Sequence, residues 1–165
     1  MKNTKMIVGI SGHQAREGID WLWTRAAIKH EISRLGEISE GLSCLADGSD
    51  TIFAEEILAE GITLTAVIPI AEYENLFSKK KRTRYLEILS KCKVFRINED
   101  EKKSNEDAFL EAGEYIADRC DILIAVWDGL PSKGKGGTAD ILKYCLQIRK
   151  KVVHINPIEK KTYYK

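Results

Sequence analysis

Asp128 and Gly129 stand at the end of the apolar run Ile122 to Trp127, and Gly134, Gly136, Gly137 and Thr138 follow at the start of an amphipathic segment. A glycine-rich loop lets backbone N–H groups approach an anion closely, and a helix start adds unpaired donors and a partial positive charge. That combination is phosphate-site chemistry. A flexible strand-to-helix connection has the same composition and needs no ligand.

Other polar clusters follow other apolar runs. Ser11-Gly12-His13-Gln14-Ala15-Arg16 offers a hydroxyl, a turn glycine, an imidazole and a guanidinium. His13 could contact a phosphate or a base, or stand solvated. The glycines of GISGHQ are not at the G-x-G-x-x-G interval, so the ordinary dinucleotide fingerprint is missing. In Leu45-Ala46-Asp47-Gly48-Ser49-Asp50, Asp47-Gly48 could shape a turn whose N–H groups face a ligand, while Ser49 or Asp50 can cap the next helix. Capping is the preferred reading of Asp50. Tyr73 could stack on a base or pack on a neighbouring helix. The run Lys79 to Arg84 reads as a solvated helix start from which Arg82 or Arg84 could reach an anion. Near the C-terminus, Ile141, Leu142, Cys145 and Ile148 form an apolar stripe, and Asp140 lies on another face with Tyr144 and Gln147. Asp140 could stabilise its helix, bind a ribose hydroxyl, or stabilise positive charge at a sugar carbon. Trp127 reads as core or pocket wall.

The elements that must position these groups alternate. Strand-like runs at Met6–Ile10, Gly41–Leu45, Thr63–Ile68, Lys93–Ile97, Asp121–Trp127 and Lys151–Ile155 are separated by helical patterns near Trp21–Leu35, Thr51–Glu60, Ser78–Ser90, Glu106–Arg119 and Thr138–Arg149. Such alternation implies right-handed βαβ units. The expected fold is a Rossmann-like three-layer α/β sandwich with a mainly parallel central sheet, one domain over residues 1–165, with its crevice at the carboxyl ends of the strands. Hydrophobic content of 44%, charged content of 31% and a net charge of +1 fit a globular chain and argue against an extended nucleic-acid or membrane surface. Cys44, Cys92, Cys120 and Cys145 form no C-x-x-C pair, and there is no histidine cluster, so reduced thiols are expected, with no metal and no resident cofactor. No run has the length of a signal peptide or a membrane span, and a cytoplasmic location is expected.

In order along the chain, GISGHQ, LADGSDTIFAEEIL, AVIP, DRCDILIAVWDG and GKGGTADIL resemble the SLOG superfamily of Rossmann-like proteins. This superfamily includes Lonely Guy phosphoribohydrolases, relatives of the DNA processing protein A, and nucleotide-sensing domains of bacterial antiviral and signalling systems. The resemblance covers nearly the whole chain. It implies a nucleotide or nucleotide-derived ligand, with phosphate at Gly136, Gly137 and Thr138 and sugar contacts nearby. Ser11, Gly12, His13, Asp47, Gly48, Ser49, Tyr73, Gly129 and Gly134 complete the expected ligand-binding set. A signal-sensing or ligand-handling module of a bacterial defence or stress pathway is implied, as is a homo-oligomer joined through its helical layers.

The sequence also departs from its enzymatic relatives. Lonely Guy enzymes resemble P-G-G-x-G-T-x-x-E, with a catalytic glutamate at the last position. Here that position is Ile141, and Asp140 stands one residue early, about 100° around the helix. The similar nucleoside deoxyribosyltransferases also place a glutamate near this helix start. The alternative expectation is an enzyme that cleaves an N-glycosidic bond. Asp128 and Asp140 would then form an acidic pair, one orienting a sugar or water and the other stabilising an oxocarbenium-like transition state.

Overall fold

The computed structural model describes residues 5–14, 16–97, 103–132 and 137–165. Its elements run β1 (Met6–Gly12), α1 (Trp21–Leu35), β2 (Ile38–Ser43), α2 (Ser49–Ala59), β3 (Thr63–Ile68), a 3-10 turn (Tyr73–Leu76), α3 (Lys79–Leu89), β4 (Lys93–Arg96), α4 (Asn105–Arg119), β5 (Ile122–Val126), α5 (Thr138–Gln147), β6 (Lys151–Asn156) and β7 (Lys161–Tyr164). The strands form one sheet in the order β4-β3-β2-β1-β5-β6-β7. Every pairing is parallel except β6 with β7, so the expected mainly parallel three-layer sheet is present.

Alternation along each strand divides the core between the two faces of the sheet. Val8, Ile10, Ile124 and Val126 point to the layer of α1, α2 and α3, where they meet Ile28, Phe53, Ile57 and Ile88. Leu123 and Ala125 point the other way, onto Ala112, Ile116, Ile141 and Cys145 of α4 and α5. With both faces covered, β5 is apolar throughout, which is why its sequence shows an unbroken run. Each fully buried Ile or Phe contributes about 1.5–3 kcal/mol relative to exposure, and this two-sided burial fixes the register on which the site depends.

Local chemistry sets the boundaries. The Asp20 carboxylate accepts the Trp23 N–H at 3.0 Å and starts α1. Ser104 accepts the Asp107 N–H at 3.2 Å and starts α4. β2 begins and ends earlier than its apolar density suggests: Ser39 and Glu40 are within it, and Leu45 lies outside it with φ 55°. Ile148 is not on the buried stripe of α5; it is the residue after the helix and is 38% exposed. β7, which closes a terminal hairpin with the expected β6, is an addition to the expected strands. No helix among the described residues is long and apolar enough to cross a membrane.

Candidate functional site

Strand order reverses at β1. Its neighbours are β2 on one side and β5 on the other, and Gly12 is in register with Val126. A crevice opens where the crossovers leave in opposite directions. At this point lies a cleft of about 340 Å³. Ile10 to Gln14 and Arg16 line it from β1 and the following loop. Cys44, Ala46 and Asp50 come from the β2–α2 connection, Pro69 and Tyr73 from after β3, and Phe109 and Gly113 from α4. Gly137, Thr138 and Ile141 close it from the start of α5. The volume falls in the range of small-molecule sites.

Close packing brings α2 to the end of β1. A Cβ on Gly12 would meet the Ser49 Cβ at 2.6 Å, so only glycine lets the helix start sit there. Ser49 is fully buried; its hydroxyl donates to the His13 carbonyl at 2.7 Å and its N–H reaches the same oxygen at 3.2 Å. Gly48, at φ +99°, turns the chain into α2. Ser49 therefore joins α2 to the β1 loop through its hydroxyl, and neither Ser49 nor Asp50 is the cap of α2, which is Gly48.

A second knot joins the ends of β1 and β5. The Asp128 N–H donates to Nε2 of His13 at 3.0 Å, and Arg16 pairs with the Asp128 carboxylate. An accepting Nε2 places the proton of the neutral ring on Nδ1. Burial and the nearby Arg16 push the His13 pKa down, outweighing the pull of Asp128. For Asp128, burial acts to raise the pKa, but the Leu130 N–H, His13 and Arg16 together hold it below the ordinary carboxylate value. Asp128 is thus an ionised anchor whose acceptors are occupied.

Asp50 has a different environment. It lies in the first turn of α2, is 6% exposed, and accepts the Ala46 N–H at 3.3 Å. Burial pushes its pKa up to about 7, against the smaller opposing effect of the Ala46 N–H. Among the described residues that line the cleft, Asp50 is the only carboxylic acid. In the sequence an acid before an apolar helix is the usual capping signal, so Asp50 reads there as a cap. Only the tertiary placement of α2 reveals that it faces the cleft.

The cleft brings together Ser11, Gly12, His13, Tyr73, Gly137 and Thr138 of the expected ligand-binding residues. Tyr73 is also packed edge-on against Phe77, Tyr85 and Phe109, with centroids at 5.1, 5.7 and 6.2 Å. Asp47 and Gly48 line a neighbouring groove with Trp21, Arg25 and Arg84, and Asp47 pairs with Lys81 at 2.8 Å. Arg84 pairs with Glu55 rather than with a ligand-facing group, and Arg82 donates to the Glu74 carbonyl at 3.0 Å. Gly129 forms a turn at φ +86°. Asp128 and Asp140 are not among the cleft-lining residues. Trp127 donates its indole N–H to the Leu130 carbonyl at 2.7 Å. Gly134 and Gly136 lie outside the described residues. Phe109, Cys44 and Ile141 enter the site from elements whose sequences signal only packing. Among the described residues no cluster of His, Cys, Asp and Glu could hold a metal ion.

An open, mainly parallel sheet with a polar cleft at its switch point defines a doubly wound α/β architecture. Several solved structures share this chain's Rossmann-like fold. DNA processing protein A from Streptococcus pneumoniae is similar with a TM-score of 0.68 at 19% identity, over 92% of this chain and 50% of that one. The corresponding protein from Helicobacter pylori, described for its single-stranded DNA binding mode, gives 0.67 at 16% identity over 93% and 66%. The Moco carrier protein from Chlamydomonas reinhardtii gives 0.53 at 18% identity over 91% and 75%. The chain therefore spans half of the Streptococcus protein and 66% of the Helicobacter one. Neither a protein-family model nor a curated protein sequence matches it. The Helicobacter protein is described as binding single-stranded DNA, whereas the net charge of +1 here leads to the expectation that there is no extended nucleic-acid surface.

Proposed function

We propose that this chain binds a nucleotide or nucleotide-derived small molecule in the β1/β5 cleft and acts as a signal-sensing or ligand-handling module. The supporting observation is the convergence of two helix starts on one switch-point cleft. Thr138 and Gly137 open α5 there, and Asp50 lies in the first turn of α2. Unpaired N–H groups of α5 suit a phosphate, and the neutral His13 ring carries a donor on Nδ1. Pro69, Tyr73, Phe109 and Ile141 supply apolar wall for a base.

The binding role is favoured over the N-glycosidase role by Ile141. This position, matched to the catalytic glutamate of the Lonely Guy pattern, does line the cleft, but it brings a 2%-exposed aliphatic side chain there. Asp128, half of the expected acidic pair, is already held by Arg16 and the Leu130 N–H. A self-associating module in a defence or stress pathway fits this reading.

Calorimetric titration with ribonucleoside 5′-monophosphates, cyclic and linear dinucleotides and a short single-stranded oligodeoxynucleotide tests the proposal. Binding of a mononucleotide or dinucleotide without release of free base supports it. Liberated base would favour the enzyme. Binding of the oligodeoxynucleotide alone would replace the small-molecule ligand with a DNA strand.

A further inference from the structure

We propose that Asp50 is the group in this cleft that receives the hydroxyl hydrogens of a ribose phosphate. The assignment rests on the cleft being a nucleotide site and names the part of the ligand that Asp50 reads. One carboxylate oxygen accepts the Ala46 N–H, and the other has no hydrogen-bond donor among the described residues. The residue is 94% removed from solvent, which follows from its 6% exposure, and it lines the cleft. A buried carboxyl with a vacant acceptor is costly unless a donor or a cation reaches it.

The surroundings decide which donor. Cys44 and Tyr73 are the titratable groups beside Asp50, and burial pushes both far above their ordinary values, so both stay neutral and neither supplies positive charge. Across the cleft, Arg16 is occupied by Asp128 and His13 is neutral. The ligand must supply the donor. A phosphate has none to give when ionised and would be repelled, so it belongs at Gly137 and Thr138. The hydroxyls of ribose are the donors next to a 5′-phosphate in a nucleotide, and a carboxylate accepts them as the acidic residue after the second strand does in dinucleotide-binding sheets. Here, though, the acid arises within the first helical turn after β2.

Asp50 titrates near 7 in the free cleft, so accepting two hydroxyl hydrogens favours its ionised form and expels a proton on binding. The test compares the ribonucleoside 5′-monophosphates with their 2′,3′-dideoxy counterparts, by calorimetry at pH 7 in two buffers of different ionisation heat. For the wild-type chain the ribonucleotide should bind about ten- to a hundredfold more tightly and release about half a proton, whereas the dideoxy form releases none. In Asp50→Asn, which keeps the acceptor for Ala46, the preference should shrink to about threefold and proton release should vanish. Equal wild-type affinity for the two sugars overturns the assignment without touching the nucleotide site, and so does an unchanged preference and proton count in the variant. The wild-type comparison needs no folded variant. Absence of binding by every nucleotide overturns the nucleotide site and the Asp50 assignment together.

Discussion

The Asp128 N–H donates to Nε2 of His13 at 3.0 Å, so the two strands that flank the switch point are tied by a side chain of one and the backbone of the other. His13→Ala removes this acceptor and leaves the N–H of Asp128 without its partner. The expected loss is about 1–3 kcal/mol of unfolding free energy, read by urea denaturation at pH 7.5. Because the folded-state pKa of His13 lies below its ordinary 6.5, the neutral ring contributes stability that is present above pH 6.5 and lost as pH falls through the folded value. The gap between wild type and variant should therefore narrow in acid. A gap that widens below pH 6 would mean that the ring works as a cation.

Gly48 should tolerate no side chain. At φ +99° an L residue is strained, and its Cβ would lie 2.8 Å from the His13 carbonyl oxygen and 2.9 Å from Cα of Gln14. Both obstacles are backbone, so neither can swing aside. Gly48→Ala is expected to cost about 1–3 kcal/mol and to lower nucleotide affinity, because it displaces the His13 loop. Circular-dichroism melts and titrations of the same preparation check the two effects.

Gly137 presents the opposite case. Its φ of −73° is open to any residue, so the glycine is not required by backbone conformation. Gly137→Val should cost about 1 kcal/mol through a poorer helix cap but weaken nucleotide binding tenfold or more by filling the anion seat. Gly137→Ser, a better cap with a smaller side chain, should retain stability and lose less affinity. Wild-type affinity in the valine variant would place the phosphate elsewhere.

Asp140 separates binding from catalysis. Asp140→Asn keeps size and removes charge from the first turn of α5. For a binding module, affinity should change by less than about threefold, with a small gain where repulsion of phosphate is relieved. For a glycosidase, binding would persist while release of free base, followed by chromatography, falls to background.

Much of this arrangement can be read from periodicity, and the rest is decided by contacts between distant elements. The boundaries of α1 and β3 coincide with their sequence patterns because Asp20 caps the first and two-sided burial defines the second. β2 resists such reading, since its first half carries Ser39 and Glu40 at half-buried positions. β7 is short and half polar, and it becomes a strand only by pairing antiparallel with β6. The crevice location follows from the alternation of strands and helices. The role of Asp50 does not, because Ser49-Asp50 before an apolar run carries the same local signal whether the acid caps the helix or faces a cleft. The contact of Ser49 with Gly12, residues far apart in sequence, distinguishes them.

Asp50 should also impose a stability cost that depends on pH. Its folded-state pKa of about 7 exceeds the ordinary 3.8 because burial opposes its charge. The protonated form is favoured in the folded chain, so the contribution is fully present below about pH 3.8 and is lost as pH rises through about 7. Across that window the change is on the order of 4 kcal/mol. Asp50→Asn carries no titrating group and keeps the Ala46 hydrogen bond. The variant should match the wild type near pH 3.5, fall out of step as pH rises, and become clearly the more stable of the two at pH 8, as measured by denaturant unfolding at each pH. A saturating ribonucleotide should reverse that order at pH 8, because hydroxyl donors stabilise the ionised aspartate and not the amide to the same degree. Parallel pH profiles for the two proteins without ligand would show that Asp50 is ionised at low cost, and that the cleft holds a donor for it already.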